Sequence, residues 1–261
     1  MIEAKKSLGQ HWLEDKTTLS AIAEGANITR NDVVLEIGPG LGGLTRELVK
    51  RAKKVVAVEL DERLAHQLPN QVKADNLEIF QGDILDFNLI DLPACYKVVA
   101  NIPYYLTSNL IRTLAESVNS PEQMALLVQK EVAGRICAEP GDMSMLSVSV
   151  QLYYTCHLGQ IVRAEMFSPP PKVDSQVVYL KLRGKPLFEA LNAPEFFRVV
   201  KAGFSQRRKK LRSSLAGGLK ISKEEADELL QKAAINSNNR PQELSLQEWY
   251  ELYKVLQAKL T

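Results

Sequence analysis

The sequence predicts an α/β protein: a doubly wound sheet, mostly parallel with an antiparallel edge, followed by a small all-helical domain. Three observations carry this. Short β-branched runs alternate with amphipathic stretches over the first two-thirds of the chain. A glycine-rich segment, Glu36–Thr45, joins one such run to the next amphipathic stretch. After Leu182 the segment Arg183-Gly184-Lys185-Pro186 breaks the last strand, and helical signals alone follow. At 261 residues and 45% hydrophobic, the chain can bury one large core and a small second one. The expected domains are therefore residues 1–183 and 184–261.

The expected strands are Val33–Ile37, Val55–Glu59, Leu77–Gln81, Val98–Ala100 and Met124–Gln129. Between them lie helical stretches at Leu44–Arg51, Asp61–Val72, Ser108–Ser117 and Lys130–Ala138. Right-handed crossovers then place ligands at the carboxyl ends of the strands. The runs Ser147–Tyr154 and Gln176–Leu182 have no clear helix between them and are expected to pair antiparallel at the sheet's edge. In the last third, Ser222 before Glu225 and Ser245 before Glu248 are capping-box patterns. Trp249, Leu252, Tyr253 and Leu256 fall on one helical stripe, which reads as core packing.

Composition narrows the functional classes. Cys95, Cys137 and Cys156 lie far apart with no CxxC pair, against a disulfide framework or a zinc site, so no metal is expected. No apolar run spans a bilayer and Met1–Lys6 lacks a signal peptide's apolar stretch, so the expectation is a cytoplasmic protein with no membrane partner. The net charge of +2 is unevenly spread. Between Phe196 and Ser214 stand seven basic residues and no acidic one; the remaining 26 Lys and Arg face 31 Asp and Glu. Five of the seven (Arg207, Arg208, Lys209, Lys210, Arg212) fall within six positions. So dense a cluster without balancing acids fits a polyanion, here the phosphates of RNA, better than a solvated face.

The glycine segment admits two readings. Gly38, Gly40 and Gly43 satisfy GxGxxG, and Glu59 ends the next strand where a ribose-binding acid would stand, so a nicotinamide oxidoreductase and a methyltransferase both fit. Three further features favour the methyltransferase. Glu36, just ahead of the glycines, would repel a pyrophosphate but tolerate a cationic sulfonium. Asp83 ends the third strand, where it can accept from an adenine amino group. Asn101-Ile102-Pro103-Tyr104 ends the fourth, at the rim that faces substrate.

That tetrapeptide suits methylation of an adenine amino group. The N6 lone pair is delocalised into the ring and needs positioning and pyramidalising. The Asn101 side-chain oxygen and a backbone carbonyl can accept its two hydrogens. Pro103 fixes the backbone, and Tyr104 can stack on an extruded base. No strong general base is called for, because a sulfonium supplies the driving force.

With these residues in view, nearly the whole chain resembles the KsgA-type ribosomal RNA adenine dimethyltransferases. The resemblance rests on Lys6–Leu13, the glycine loop, Glu59, Asp83, Asn101–Tyr104, Gln129-Lys130-Glu131, Phe167–Ser175, Phe204–Arg212 and Asn239–Ser245. It implies a Rossmann-like class I methyltransferase sheet and S-adenosyl-L-methionine as methyl donor. It also implies dimethylation of two adjacent adenosines in a hairpin loop near the 3′ end of small-subunit ribosomal RNA. It assigns cofactor contacts to His11, Leu13, Gly38, Gly40, Glu59, Asp83 and Asn101, and places Tyr104 and Phe167 around the target base. The implied partner is the immature small ribosomal subunit, and the implied state a monomer. Trp12, Ile102 and Tyr105 depart from the family's usual Phe, Leu and Asn; the first two keep size and polarity. Erm-type enzymes, which modify large-subunit ribosomal RNA, share most of the catalytic motifs and form the alternative. A non-catalytic ribosome-assembly factor would leave the catalytic motifs without a purpose.

Overall fold

The computed structural model describes residues 3–104, 106–189, 191–206 and 208–260. The chain forms two compact units, Met1–Gly134 with Tyr154–Leu182, and Arg135–Tyr153 with Arg183–Thr261. The sequence expectation put the division at residue 183. The second unit also takes in Arg135–Tyr153, because Met143, Val148 and Leu152 bury among its aromatic residues.

The first unit opens with β1 (Trp12–Leu13) and α1 (Lys16–Gly25), a helix not anticipated above. Asp15 caps α1 by accepting from the Thr18 N–H at 2.7 Å. Then follow β2 (Val33–Ile37), α2 (Gly43–Val49), β3 (Lys54–Glu59), α3 (Glu62–Gln71), β4 (Leu77–Gln81), β5 (Lys97–Asn101), α4 (Thr107–Glu116), β6 (Gln123–Gln129) and α5 (Lys130–Ile136). After α6 (Met145–Gln151), which belongs to the second unit, come β7 (Tyr154–Val162), β8 (Phe167–Ser168) and β9 (Ser175–Leu182).

Seven strands form one sheet in the order β4-β3-β2-β5-β6-β9-β7, while β1 and β8 pair separately. The first five run parallel; β9 lies antiparallel to both β6 and β7. The central strands are buried almost throughout, as strands covered on both faces must be, which is why they read as unbroken apolar runs. The strand order reverses between β2, which is joined to β3, and β5. The loops after β2 and β5 therefore emerge side by side, at the place where such sheets bind ligands.

One expected strand is a helix. Ser147–Tyr154 was read as extended, but Met145–Gln151 is helical and the edge strand starts only at Tyr154. Ser144 and Ser147 form a reciprocal cap, with the Ser144 N–H donating to Ser147 Oγ at 2.6 Å and the Ser147 N–H to Ser144 Oγ at 3.2 Å. Leu146 to Val150 are all buried, so packing on every side erases the helical period. β9 does pair antiparallel at the edge, but with Tyr154–Val162 in place of the expected Ser147–Tyr154.

In the second unit, α7 (Ala193–Phe204), α8 (Leu211–Leu219), α9 (Lys223–Lys232) and α10 (Leu246–Leu260) join α6 around Phe196, Leu211, Leu215 and Trp249. The stripe Trp249, Leu252, Tyr253, Leu256 is buried as expected. Both capping boxes form, with Glu225 N–H to Ser222 Oγ at 3.0 Å and Glu248 N–H to Ser245 Oγ at 3.2 Å. α7 and α8 touch backbone to backbone: a Cβ on Gly218 would lie 2.5 Å from the Ala202 Cα. Gly218→Ala should therefore destabilise this unit by about 1–3 kcal/mol through overpacking. Gly217→Ala, whose Cβ would meet only Gln206 Nε2 at 3.4 Å, should be neutral or stabilising. Urea titration of both variants distinguishes them, and equal effects would remove the close-approach argument.

Candidate active site

The crevice between the ends of β2 and β5 is built from backbone geometry first. Gly38 and Gly40 hold φ of 66° and 58°, the left-handed region that side chains avoid. The Gly38 N–H donates to the Val58 carbonyl at 2.9 Å, fixing the loop to β3. The Gly40 N–H donates to Glu59 Oε2 at 3.0 Å, and the Asp61 N–H donates to Glu59 Oε1 at 2.9 Å. A Cβ on Gly40 would press on the Trp12 ring at 3.2 Å. Burial pushes the Glu59 carboxyl up, opposed by the N–H groups of Asp61 and Gly40.

Asn101 ends β5, and its Nδ2 donates to the His11 carbonyl at 3.0 Å. A carbonyl can only accept, so this bond sets the orientation of the carboxamide and leaves Oδ1 as the atom offered to a ligand. The Pro103 carbonyl accepts from the Leu106 N–H at 3.0 Å and the Thr107 hydroxyl at 3.4 Å, tying the Asn101–Tyr104 turn to the start of α4. The Tyr104 hydroxyl bonds to Ser175 Oγ at 2.8 Å, and burial raises its pKa. The Tyr104 ring stacks beside His11 at 5.9 Å between centroids, and His11 Nδ1 donates to the Pro169 carbonyl at 2.7 Å. Asp83 Oδ1 accepts from the Leu85 N–H at 2.9 Å.

His11, Gly38, Gly40, Glu59, Asp83, Asn101, Pro103 and Tyr104 all line one cavity. Ile37, Val58, Leu60, Ile84 and Leu85 add apolar walls, while Leu8–Trp12 form a strap along it. Leu13 lines the neighbouring cleft with Glu36. The donor set fits S-adenosylmethionine: carboxylates for hydroxyl and amino donors, apolar walls for a flat ring, and glycine backbone open to close approach. Phe167 is not brought to this cavity. It is 4% exposed on β8, opposite Leu13, and packs in the core with Leu19, Val99 and Leu127. The pairing of β8 with β1 turns it inward, so the expected contact with the base does not arise from this conformation.

A family profile described as ribosomal RNA adenine dimethylase matches residues 1–258. The chain belongs to this family. The ribosomal RNA small subunit methyltransferase A of Dehalococcoides mccartyi strain CBDB1 is 41% identical to it, over 96% of this chain and 88% of that protein. Its counterpart in Clostridioides difficile is 39% identical over 98% and 92%. Among solved structures, a dimethyladenosine transferase from Plasmodium falciparum superposes with a TM-score of 0.80 at 28% identity, covering 93% of this chain and 96% of that one. The 23S ribosomal RNA methyltransferase ErmE gives 0.77 at 29%, covering 94% and 99%.

Within this dimethylase, the basic segment differs in part from expectation. Arg207 lies outside the described residues. Arg208, Lys209 and Lys210 are exposed at the start of α8, whose N-terminal dipole adds to their positive potential. The Lys210 ammonium also donates to Asn238 Oδ1 at 2.6 Å. Arg212, expected to meet RNA, is instead half-buried and paired with Asp227 at 3.3 Å. As the second residue of α8 it reaches Asp227 on α9. Sequence reasoning also missed Gln10 and Trp12 as cavity walls, although both lie inside the quoted Lys6–Leu13 string.

Glu36, expected as a charge facing the cofactor, stands at the cleft beside the glycine loop but is withdrawn from water. It is 1% exposed, and burial pushes its carboxyl up to about 8, with the neighbouring Glu59 acting in the same direction and Thr45 against it. Burial thus favours the protonated carboxyl of Glu36 at neutral pH. The unfolded chain releases that proton near 4.5 and the folded protein near 8, so stability declines as pH rises between those values. Glu36→Gln should raise the melting temperature at pH 8.5 and leave it nearly unchanged at pH 5. A difference from the parent that does not vary with pH would refute this origin.

Proposed function

We propose that this chain uses S-adenosylmethionine to dimethylate the N6 nitrogens of two adjacent adenosines in small-subunit ribosomal RNA. The observation that carries this reading is the Asn101 carboxamide, oriented by the His11 carbonyl so that its oxygen faces the cavity. The small-subunit assignment draws on relatives near 40% identity, all named for that subunit, over nearly the whole chain.

Glu59, Asp83, Gly38, Gly40 and the Gln10–Trp12 strap would hold the cofactor. Bound there, it supplies an electrophilic methyl group on a sulfonium. Asn101 Oδ1 accepts one N6 hydrogen of the target adenosine. The Pro103 carbonyl is engaged by α4, which leaves the Ile102 carbonyl, next to Asn101, as the second acceptor. Two acceptors on one amino group draw its lone pair out of ring conjugation and hold the nitrogen in place. The Tyr104 ring, fixed by Ser175, supplies the stacking face for the extruded base. The proton lost on methylation passes to solvent, so the site needs no strong base.

Arg208, Lys209 and Lys210 contact RNA phosphates, giving affinity without sequence choice. This reading describes a cytoplasmic enzyme acting as a monomer on the immature small subunit.

Asn101→Ala should lower methyl transfer by about 10²–10³-fold while cofactor binding remains measurable, since the oriented acceptor for the amino group is lost. Labelled methyl transfer to unmodified small and large subunits in parallel, with nucleoside analysis, checks this and the substrate together. Label in the large subunit alone would favour the Erm-type reading. Replacing Arg208, Lys209 and Lys210 with Ala should reduce the salt slope of RNA binding by about 2–3. An unchanged slope would return these residues to a merely solvated surface.

A further inference from the structure

The strap along the cofactor cavity is secured at both ends. Its far end is the pairing of Trp12–Leu13 with Phe167–Ser168. Its near end converges on Asp61, a residue that does not line the cavity and that the mechanism leaves without a role. The Asp61 side chain is fully buried. Its Oδ1 accepts from Lys5 Nζ at 3.2 Å and its Oδ2 from Gln10 Nε2 at 3.1 Å. Gln10 closes the loop on itself, its Oε1 accepting from the Lys5 N–H at 2.7 Å. On the opposite side Arg63 donates to both oxygens, at 3.1 and 2.7 Å. The Asp61 N–H meanwhile donates to Glu59 Oε1, so one residue joins the strap to the acid that faces the cavity.

From this geometry we infer that Asp61 is a positioning residue, a latch that holds the Lys5–Gln10 end of the strap closed over the cofactor and thereby slows cofactor release. Between the two anchors, Leu8–Trp12 contribute five consecutive residues to the cavity wall. His11, through its bonds to Asn101 and Pro169, holds the β1 side of the wall. The Leu8–Gln10 side lies beyond those bonds, and without the Asp61 anchor it would be free to swing away from Glu59 and Asp83. A buried carboxylate with four side-chain donor contacts is an expensive arrangement unless fully bonded, and its donors come from two separate stretches of chain, the strap and the start of α3. Such an anchor forms only when the strap is in place, which couples the closed wall to the order of the α3 start. The inference rests on the cofactor reading above.

The test is S-adenosylmethionine binding and release by the full-length protein and by Asp61→Asn, Lys5→Met and the double variant. Asn is as good an N-cap as Asp, so α3 keeps its start while the latch loses its charge. Lys5 lies outside the cavity lining, so its substitution reports on the strap alone. Asp61→Asn should speed cofactor release about tenfold and raise KM for the cofactor to match, with kcat at saturating cofactor within twofold of the parent. Lys5→Met should speed release about 2–3-fold in the parent and add nothing in the Asp61→Asn background. Unchanged release in folded Asp61→Asn would overturn the latch, as would additive effects in the double variant. Should Asp61→Asn not fold, an unchanged release rate in Lys5→Met overturns it alone. Failure of the unmodified protein to bind S-adenosylmethionine would overturn the cofactor reading itself. Binding without methyl transfer would overturn the proposed function and leave the latch measurable.

Discussion

The parallel pairing of β2 with β5 is the constraint from which the site follows. Each of these strands continues to a different side of the sheet, so the chain leaving β2 and the chain leaving β5 have no helix between them. That gap is bounded by backbone, and backbone is what the glycines supply. The bonds from Gly38 and Gly40 to β3 then carry Glu59 to the same opening. Acid, glycine turn and Asn101 meet because one register brings Ile37 opposite Ala100, one residue short of Asn101. A slip in that register would separate the carboxamide from the turn it faces.

The strap adds what the sheet cannot. Open α/β sheets present ligands to solvent, whereas a methyl donor and an amino nucleophile must meet with water kept from between them. Here residues far apart in sequence cover the opening: His11 gives its carbonyl to Asn101 and its ring nitrogen to Pro169. The orientation of the Asn101 carboxamide is thus decided by a segment ninety positions earlier in the chain. The two units also divide their electrostatics. Buried or half-buried carboxylates gather around the cavity, while Arg208, Lys209 and Lys210 of the second unit stand exposed without acids among their immediate sequence neighbours.

Most of the fold was legible because its signals are local. Val33–Ile37 and Leu77–Gln81 match their strands residue for residue, the first as a buried, largely apolar run and the second as a half-buried edge strand with apolar and polar residues mixed. Met145–Gln151 was misread because burial on all sides makes a helix look like a strand, and only the Ser144–Ser147 cap betrays it. The cavity's glycines, acids and Asn101 were legible as a pattern along successive strands. The inward turn of Phe167, the pairing of Arg212 with Asp227 and the protonation of Glu36 were not. Each depends on what lies across space from the residue, through β-pairing, an ion pair or the exclusion of water. Asp61 escaped notice because a helix cap and a multiple ion partner look identical in one dimension.

Neither unit is a continuous piece of chain. The second draws Met143, Val148 and Leu152 into its core from a segment that precedes the last two long strands of the sheet. A chain ending after Leu182 would carry a complete seven-stranded sheet together with an orphaned helix whose apolar residues had lost their cover. The helical unit is therefore no appendage that a single cut at one boundary could separate. Moving the helical unit to another sheet would mean moving two segments at once, Arg135–Tyr153 and Arg183–Thr261.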